Sequence, residues 1–169
     1  YGMPIYARRV VFVLDASTSM SGQRLATAQA ELARAIQRLP VDTHFGIVIF
    51  NSESWAWRPQ LVAAEAAQKA AALQFMMRVV AQNNTGTDAA LHQALQFDAE
   101  AIYLLTDGVP TTGRRTEPDD IVATITRQNR LQRASIYTLG VGVDPIGGKF
   151  DQFLASLAQE NQGAYRRLD

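Results

Sequence analysis

An α/β fold built on a doubly wound, mostly parallel sheet with helices on both faces is predicted by three features of this 169-residue chain. Short uninterrupted apolar runs, the mark of strands buried on both faces, alternate with stretches whose apolar residues recur at helical spacing. One hairpin breaks the alternation early, as an edge strand running against its neighbours would. No linker, internal repeat or low-complexity tract divides the chain, so a single domain over residues 1–169 is expected, with 1–7 as an N-terminal extension.

The elements follow in order. Val10-Val11-Phe12-Val13-Leu14 is the first buried run. Leu25, Ala28, Leu32, Ile36 and Leu39 then recur at helical spacing, with Arg24, Glu31, Arg34 and Arg38 off that stripe, and Pro40 closes the helix. Phe45 to Phe50 is the second run, and a turn through Asn51-Ser52 leads to Trp55 and Trp57, which alternate with polar or small residues as on a half-exposed edge strand. From Leu61 to Val80 an alanine-rich helix is expected to bury Ala66, Ala70, Leu73, Met77 and Val80, with Met76-Met77 as core filling. After the polar break Gln82-Asn83-Asn84 come a short helix through Leu91 and Leu95 and a buried strand from Ala101 to Leu105, ended by Asp107-Gly108. A helix around Ile121 and Ile125 with Arg127 and Arg130 outward, a strand from Ile136 to Val141, a helix carrying Phe150, Phe153, Leu154 and Leu157, and a strand near Tyr165 complete the pattern.

Composition narrows the function. Lys+Arg 16 balances Asp+Glu 16, so the summed basic field that non-specific nucleic-acid binding needs is absent. With a mean hydropathy of −0.08 and no apolar stretch of spanning length, no transmembrane segment is expected. Cys 0 excludes disulfides and thiolate metal sites. The chain starts at Tyr1, so a piece of a larger polypeptide is expected, and its compact loops point to a bacterial source.

In open α/β sheets ligands sit beyond the carboxyl ends of the strands, where the strand order reverses. The first strand ends in Asp15-Ala16-Ser17-Thr18-Ser19, and the strand through Ile102 ends in Thr106-Asp107-Gly108. A carboxylate directly after a buried strand is costly, and two at one crevice repel each other. A shared divalent cation answers both costs. Carboxylate and hydroxyl oxygens suit Mg²⁺, Mn²⁺ or Ca²⁺ rather than zinc or copper. Taken alone, Asp15, Ser17 and Ser19 would serve equally well as helix caps, and Asp107-Gly108 as a plain turn. Their combination with Asn83-Asn84-Thr85-Gly86-Thr87 before a helix is what points to a metal.

With these motifs the chain resembles the von Willebrand factor type A domains, including the integrin inserted domains, over nearly its whole length. The resemblance implies a Rossmann-like, six-stranded, mostly parallel sheet with one antiparallel edge strand. It also implies a metal-ion-dependent adhesion site made of Asp15, Ser17, Ser19, Thr85 and Asp107, holding Mg²⁺, or Mn²⁺ or Ca²⁺. Thr85 is preferred over Thr87 because the family threonine usually stands six residues before a helix leucine, here Leu91. Where the family commonly has Gly-Gly, this chain has Asn83-Asn84, and asparagine tolerates the left-handed backbone better than other side chains do. The implied function is cation-dependent protein binding, without catalysis, in which the metal takes a Glu or Asp of a partner. An extracytoplasmic or cell-surface setting goes with it.

Other readings fit less well. A regulatory or assembly module of a larger machine, as in the chelatase subunits that resemble this family, is the alternative, followed by a Mg²⁺-dependent phosphohydrolase. A phosphatase with an aspartyl nucleophile would carry a second aspartate where Ser17 stands, and the lysines, Lys69 and Lys149, lie away from these strand ends. Gly-x-Ser-x-Gly is absent and neither His44 nor His92 is placed by a motif, which disfavours a serine hydrolase. Gly140-Val141-Gly142 has the wrong spacing for a dinucleotide loop, no phosphate-binding loop exists, and the glycosylation sequon at Asn83 is coincidental. Asp88 and His92 read as an exposed helical pair and Arg114-Arg115 as a solvated loop pair bordering the metal face, with Glu53, Ser54 and Trp55 as a further part of its rim. Gly147-Gly148 before the last helix reads as a turn that would also permit movement.

Overall fold

The structure, a computed structural model, describes residues 7–142 and 146–168. Residues 1–6 of the expected N-terminal extension lie outside them. The order is β1 (Arg9–Asp15), a 3-10 turn (Thr18–Met20), α1 (Gln23–Arg38), β2 (His44–Phe50), β3 (Ser54–Ala56), β4 (Val62–Ala63), α2 (Ala66–Met76), α3 (Thr87–Ala94), β5 (Ala101–Thr106), α4 (Pro118–Gln132), β6 (Ser135–Val141), α5 (Lys149–Glu160) and β7 (Tyr165–Leu168). The sheet runs β3-β2-β1-β5-β6-β7. All pairings along it are parallel except β2 with β3. The two-residue β4 adds a seventh strand by pairing antiparallel with β2, beside the six that the resemblance implies.

β1 explains why the apolar runs are uninterrupted. It lies between β2 and β5, and its residues pack alternately into two cores. Val10, Phe12 and Leu14 join Leu25, Leu32 and Ile36 of α1 and Met76 of α2. Val11 and Val13 join Leu91 of α3, Ile121 of α4 and Leu154 of α5. A strand covered on both faces has no position at which water tolerates a polar side chain, so the alternation normal for a half-exposed strand is lost. Because the chain leaves β1 for β2 on one side and reaches β5 on the other, the strand order reverses there. That opens a crevice beyond Asp15 and Thr106.

One helix departs from expectation. α2 spans 11 residues rather than the stretch Leu61–Val80, whose beginning is taken by β4. It buries Ala72 and Met76, whereas Ala66, Ala70, Met77 and Val80 are exposed and Leu73 is half-buried. An alanine-rich segment carries too little contrast between its faces for spacing to orient it.

Candidate metal centre

Four loops meet at the reversal point, and main-chain hydrogen bonds join them. Ala16 N–H donates to Phe50 O at 2.7 Å, Gln82 N–H to Ala16 O at 2.8 Å, and Thr18 N–H to Asn83 O at 3.0 Å. Gly86 N–H reaches Asn51 O at 2.7 Å and Thr111 N–H reaches Thr85 O at 2.9 Å. Asn83 takes the left-handed conformation, φ 64°, at the place where the family commonly has glycine.

Within this frame the side chains form a connected polar chain. Asp15 is fully buried, with Oδ1 accepting from the Ser17 N–H at 2.8 Å and Oδ2 from the Thr106 hydroxyl. The hydroxyls of Ser17 and Ser19 lie 3.1 Å apart, and Ser19 Oγ donates to Asp107 Oδ1 at 2.7 Å. Thr85, 4% exposed, closes the group through Gly108. A methyl group added at that glycine would stand 3.4 Å from Ser19 Oγ and 3.6 Å from Thr85 Oγ1, so both hydroxyls border one small space. Thr87 is also fully buried, at the start of α3, and its hydroxyl has no hydrogen-bond partner among the described residues. Burial pushes the Asp15 carboxyl up to about 6, and the nearby Asp107 charge adds to the rise, while hydrogen bonds from Thr106 and Ser17 oppose it.

The structure adds two residues that spacing did not single out. Thr106 secures Asp15, and Arg24, the first-turn arginine expected off the buried stripe of α1, turns back to Asp107 Oδ2 at 2.6 Å. A basic group therefore does stand at these strand ends, although neither lysine does. Both contacts join residues more than eighty positions apart, beyond the reach of any local pattern. Asp88 and His92 are not an exposed pair: Asp88 is buried, with His92 Nε2 at 3.2 Å and Arg115 Nη1 at 3.3 Å. Arg115 thereby fastens the loop after β5 to α3, while Arg114 is exposed. Glu53 and Trp55 are exposed and Ser54 is half-buried, and His44 is exposed at the start of β2, the opposite end of the sheet.

The donors present are those that a hard divalent cation takes: two carboxylates and several neutral hydroxyls. Among the described residues no cluster of three or more His, Cys, Asp or Glu forms, so an ion here would depend on the hydroxyls as well.

Comparison with known proteins gives a concordant picture. The profile of the von Willebrand factor type A domain matches residues 8–167. The chain is 32% identical over 180 residues to inter-alpha-trypsin inhibitor heavy chain H4 of Homo sapiens, covering 99% of this chain and 19% of that protein. It spans about a fifth of the length of the relatives it matches. The fold is similar to a von Willebrand factor type A structure from Catenulispora acidiphila, with TM-score 0.78, 22% identity, and coverage of 96% of this chain and 38% of that one. It is also similar to the pilus adhesin SpaC from Lactobacillus rhamnosus GG, with TM-score 0.73, 16% identity, and coverage of 95% and 28%.

Proposed function

The chain belongs to the von Willebrand factor type A family, whose domains commonly serve as protein-interaction modules, and from that premise we propose that it is a divalent-cation-dependent binding module that engages a Glu or Asp of a partner protein. The supporting observation is the polar chain at the carboxyl end of the sheet. There two buried carboxylates, Asp15 and Asp107, are linked through the Ser17 N–H and the hydroxyls of Ser17 and Ser19, with Thr85 alongside. In this reading Asp15, Ser17, Ser19, Thr85 and Asp107 hold Mg²⁺, or Mn²⁺ or Ca²⁺, directly or through water. The two carboxylates balance the ion's charge, and the other three ligands are neutral hydroxyls, weaker donors that leave the ion electron-poor enough to take an outside carboxylate as a further ligand.

The module acts by binding rather than by catalysis. His92 is engaged with Asp88 on α3 and His44 lies at the far end of the sheet, so no imidazole base accompanies the carboxylates. The balanced net charge argues against nucleic acid as the partner. Among the described residues no helix is long and apolar enough to cross a membrane. The long relatives and the pilus adhesin support a single domain, residues 1–169, carried within a larger extracytoplasmic or cell-surface polypeptide.

Calorimetric titration of chelator-stripped protein with Mg²⁺, Mn²⁺ and Ca²⁺ tests the reading. Saturable binding near one ion per chain is expected, lost in Asp15→Ala while the fold persists. Equal binding by the two proteins would move the ion elsewhere. Absence of binding by both would favour the assembly-module alternative.

A further inference from the structure

The first turn of α1 brings to this site a charge that the ligand set does not use. Arg24 Nη1 donates to Asp107 Oδ2 at 2.6 Å and to the Ser19 carbonyl oxygen at 3.3 Å. The side chain lies over the end of β6, where a Cβ added at Gly142 would stand 3.0 Å from Arg24 Nε and 3.5 Å from its Cγ. Asp107 is thus shared, its Oδ1 accepting from Ser19 and its Oδ2 from Arg24. The Asp107 side chain is completely buried and the Arg24 side chain is 44% exposed, so the arginine stands between the site and the solvent from which a ligand arrives.

We propose that Arg24 is a specificity-determining residue: a resident positive charge that makes the affinity of the site for a metal depend on an acidic ligand. This rests on the metal-binding reading above. With both carboxylates ionised, Asp15, Asp107 and Arg24 sum to one negative charge. A divalent cation alone takes the group to one positive charge beside the two buried carboxylates, and a partner carboxylate then brings it to zero. Without Arg24 the cation alone neutralises the two aspartates, and an added carboxylate leaves an excess negative charge. Arg24 therefore weakens the bare ion and strengthens the pair of ion and carboxylate, and the coupling is reciprocal. Among the described residues both of its hydrogen bonds use Nη1, so Nη2 can donate to the incoming carboxylate.

The test measures free Mn²⁺ by electron paramagnetic resonance with the whole chain, Arg24→Gln and Arg24→Lys at pH 7.5 and constant ionic strength, in chloride and with acetate in its place. For the unmodified chain, Mn²⁺ affinity is expected to rise by about fivefold or more in acetate. Arg24→Lys keeps the rise, whereas Arg24→Gln binds Mn²⁺ more tightly in chloride and loses most of the acetate effect. An unmodified chain that binds Mn²⁺ equally in both salts overturns the inference even if Arg24→Gln does not fold. So does an Arg24→Gln chain that binds Mn²⁺ as the unmodified one does or more weakly. Each of these outcomes leaves the metal site standing. Failure of both chains to bind Mn²⁺ overturns the metal-binding reading itself and this inference with it.

Discussion

Asp15 carries the sharpest tension between folding and function. Removal from water is the main influence on its carboxyl, which is lifted from 3.8 to about 6, so in the cation-free protein the folded state holds this proton more tightly than the unfolded chain does. The sign follows: between about pH 4 and pH 6 the native state binds more protons, and stability falls as pH rises through that window. Against Asp15→Asn, which does not titrate, the cation-free chain should lose roughly 2–3 kcal/mol from pH 4 to pH 6, read by urea unfolding at several pH values. A difference that stays flat would mean that the bonds from Ser17 and Thr106 offset burial completely. That Asp15, Ser17, Ser19, Thr85 and Asp107 come together at one crevice was legible because strand ends and family motifs mark them. Arg24 and the buried state of Asp88 were not, since both depend on residues brought together by the assembled sheet and the returning loop after β5.

Among the elements, the return from α5 to β7 is the most tightly constrained. A Cβ added at Gly163 would sit 1.8 Å from Ile136 O and 2.4 Å from its carbonyl carbon, both main-chain atoms of β6. No rotamer relieves such an overlap, so Gly163→Ala should cost about 3 kcal/mol by displacing β7 from its pairing with β6, measurable as a lower urea midpoint. A loss below about 0.5 kcal/mol would show that this turn shifts freely, the range expected of unconstrained surface changes. The central strands could be read from sequence because both of their faces are covered, and α1 because Leu25, Ala28, Leu32 and Ile36 contrast with the polar residues between them. β4 escaped notice because two half-buried residues carry no period. The burying face of α2 was misplaced because nearly half of its side chains are alanine, and the exposed Met77 and Val80 resemble core residues in composition alone.

For the molecule as a whole, a ligand that binds only the native state stabilises all of it. At a cation concentration of 100 times Kd the gain is about 2.7 kcal/mol. For a chain of this size that corresponds to a rise in Tm of roughly 5–10 °C, which differential scanning calorimetry with Mg²⁺ or Mn²⁺ should show, EDTA should reverse and Asp15→Ala should abolish. An unmodified chain that melts at the same temperature with and without the ion would count against occupancy in solution. The stitching of the four loops has a different kind of consequence. Ala16 to Phe50, Gln82 to Ala16, Gly86 to Asn51 and Thr18 to Asn83 are joined through peptide groups, which nearly every residue type supplies. Exposed positions around them, such as Glu53 and Arg114, can change identity across generations while the clasp beneath keeps its form. On the proposed function, heredity can thus preserve the grip and revise what is gripped, and a library randomised at those positions would test for new partners on an unaltered foundation.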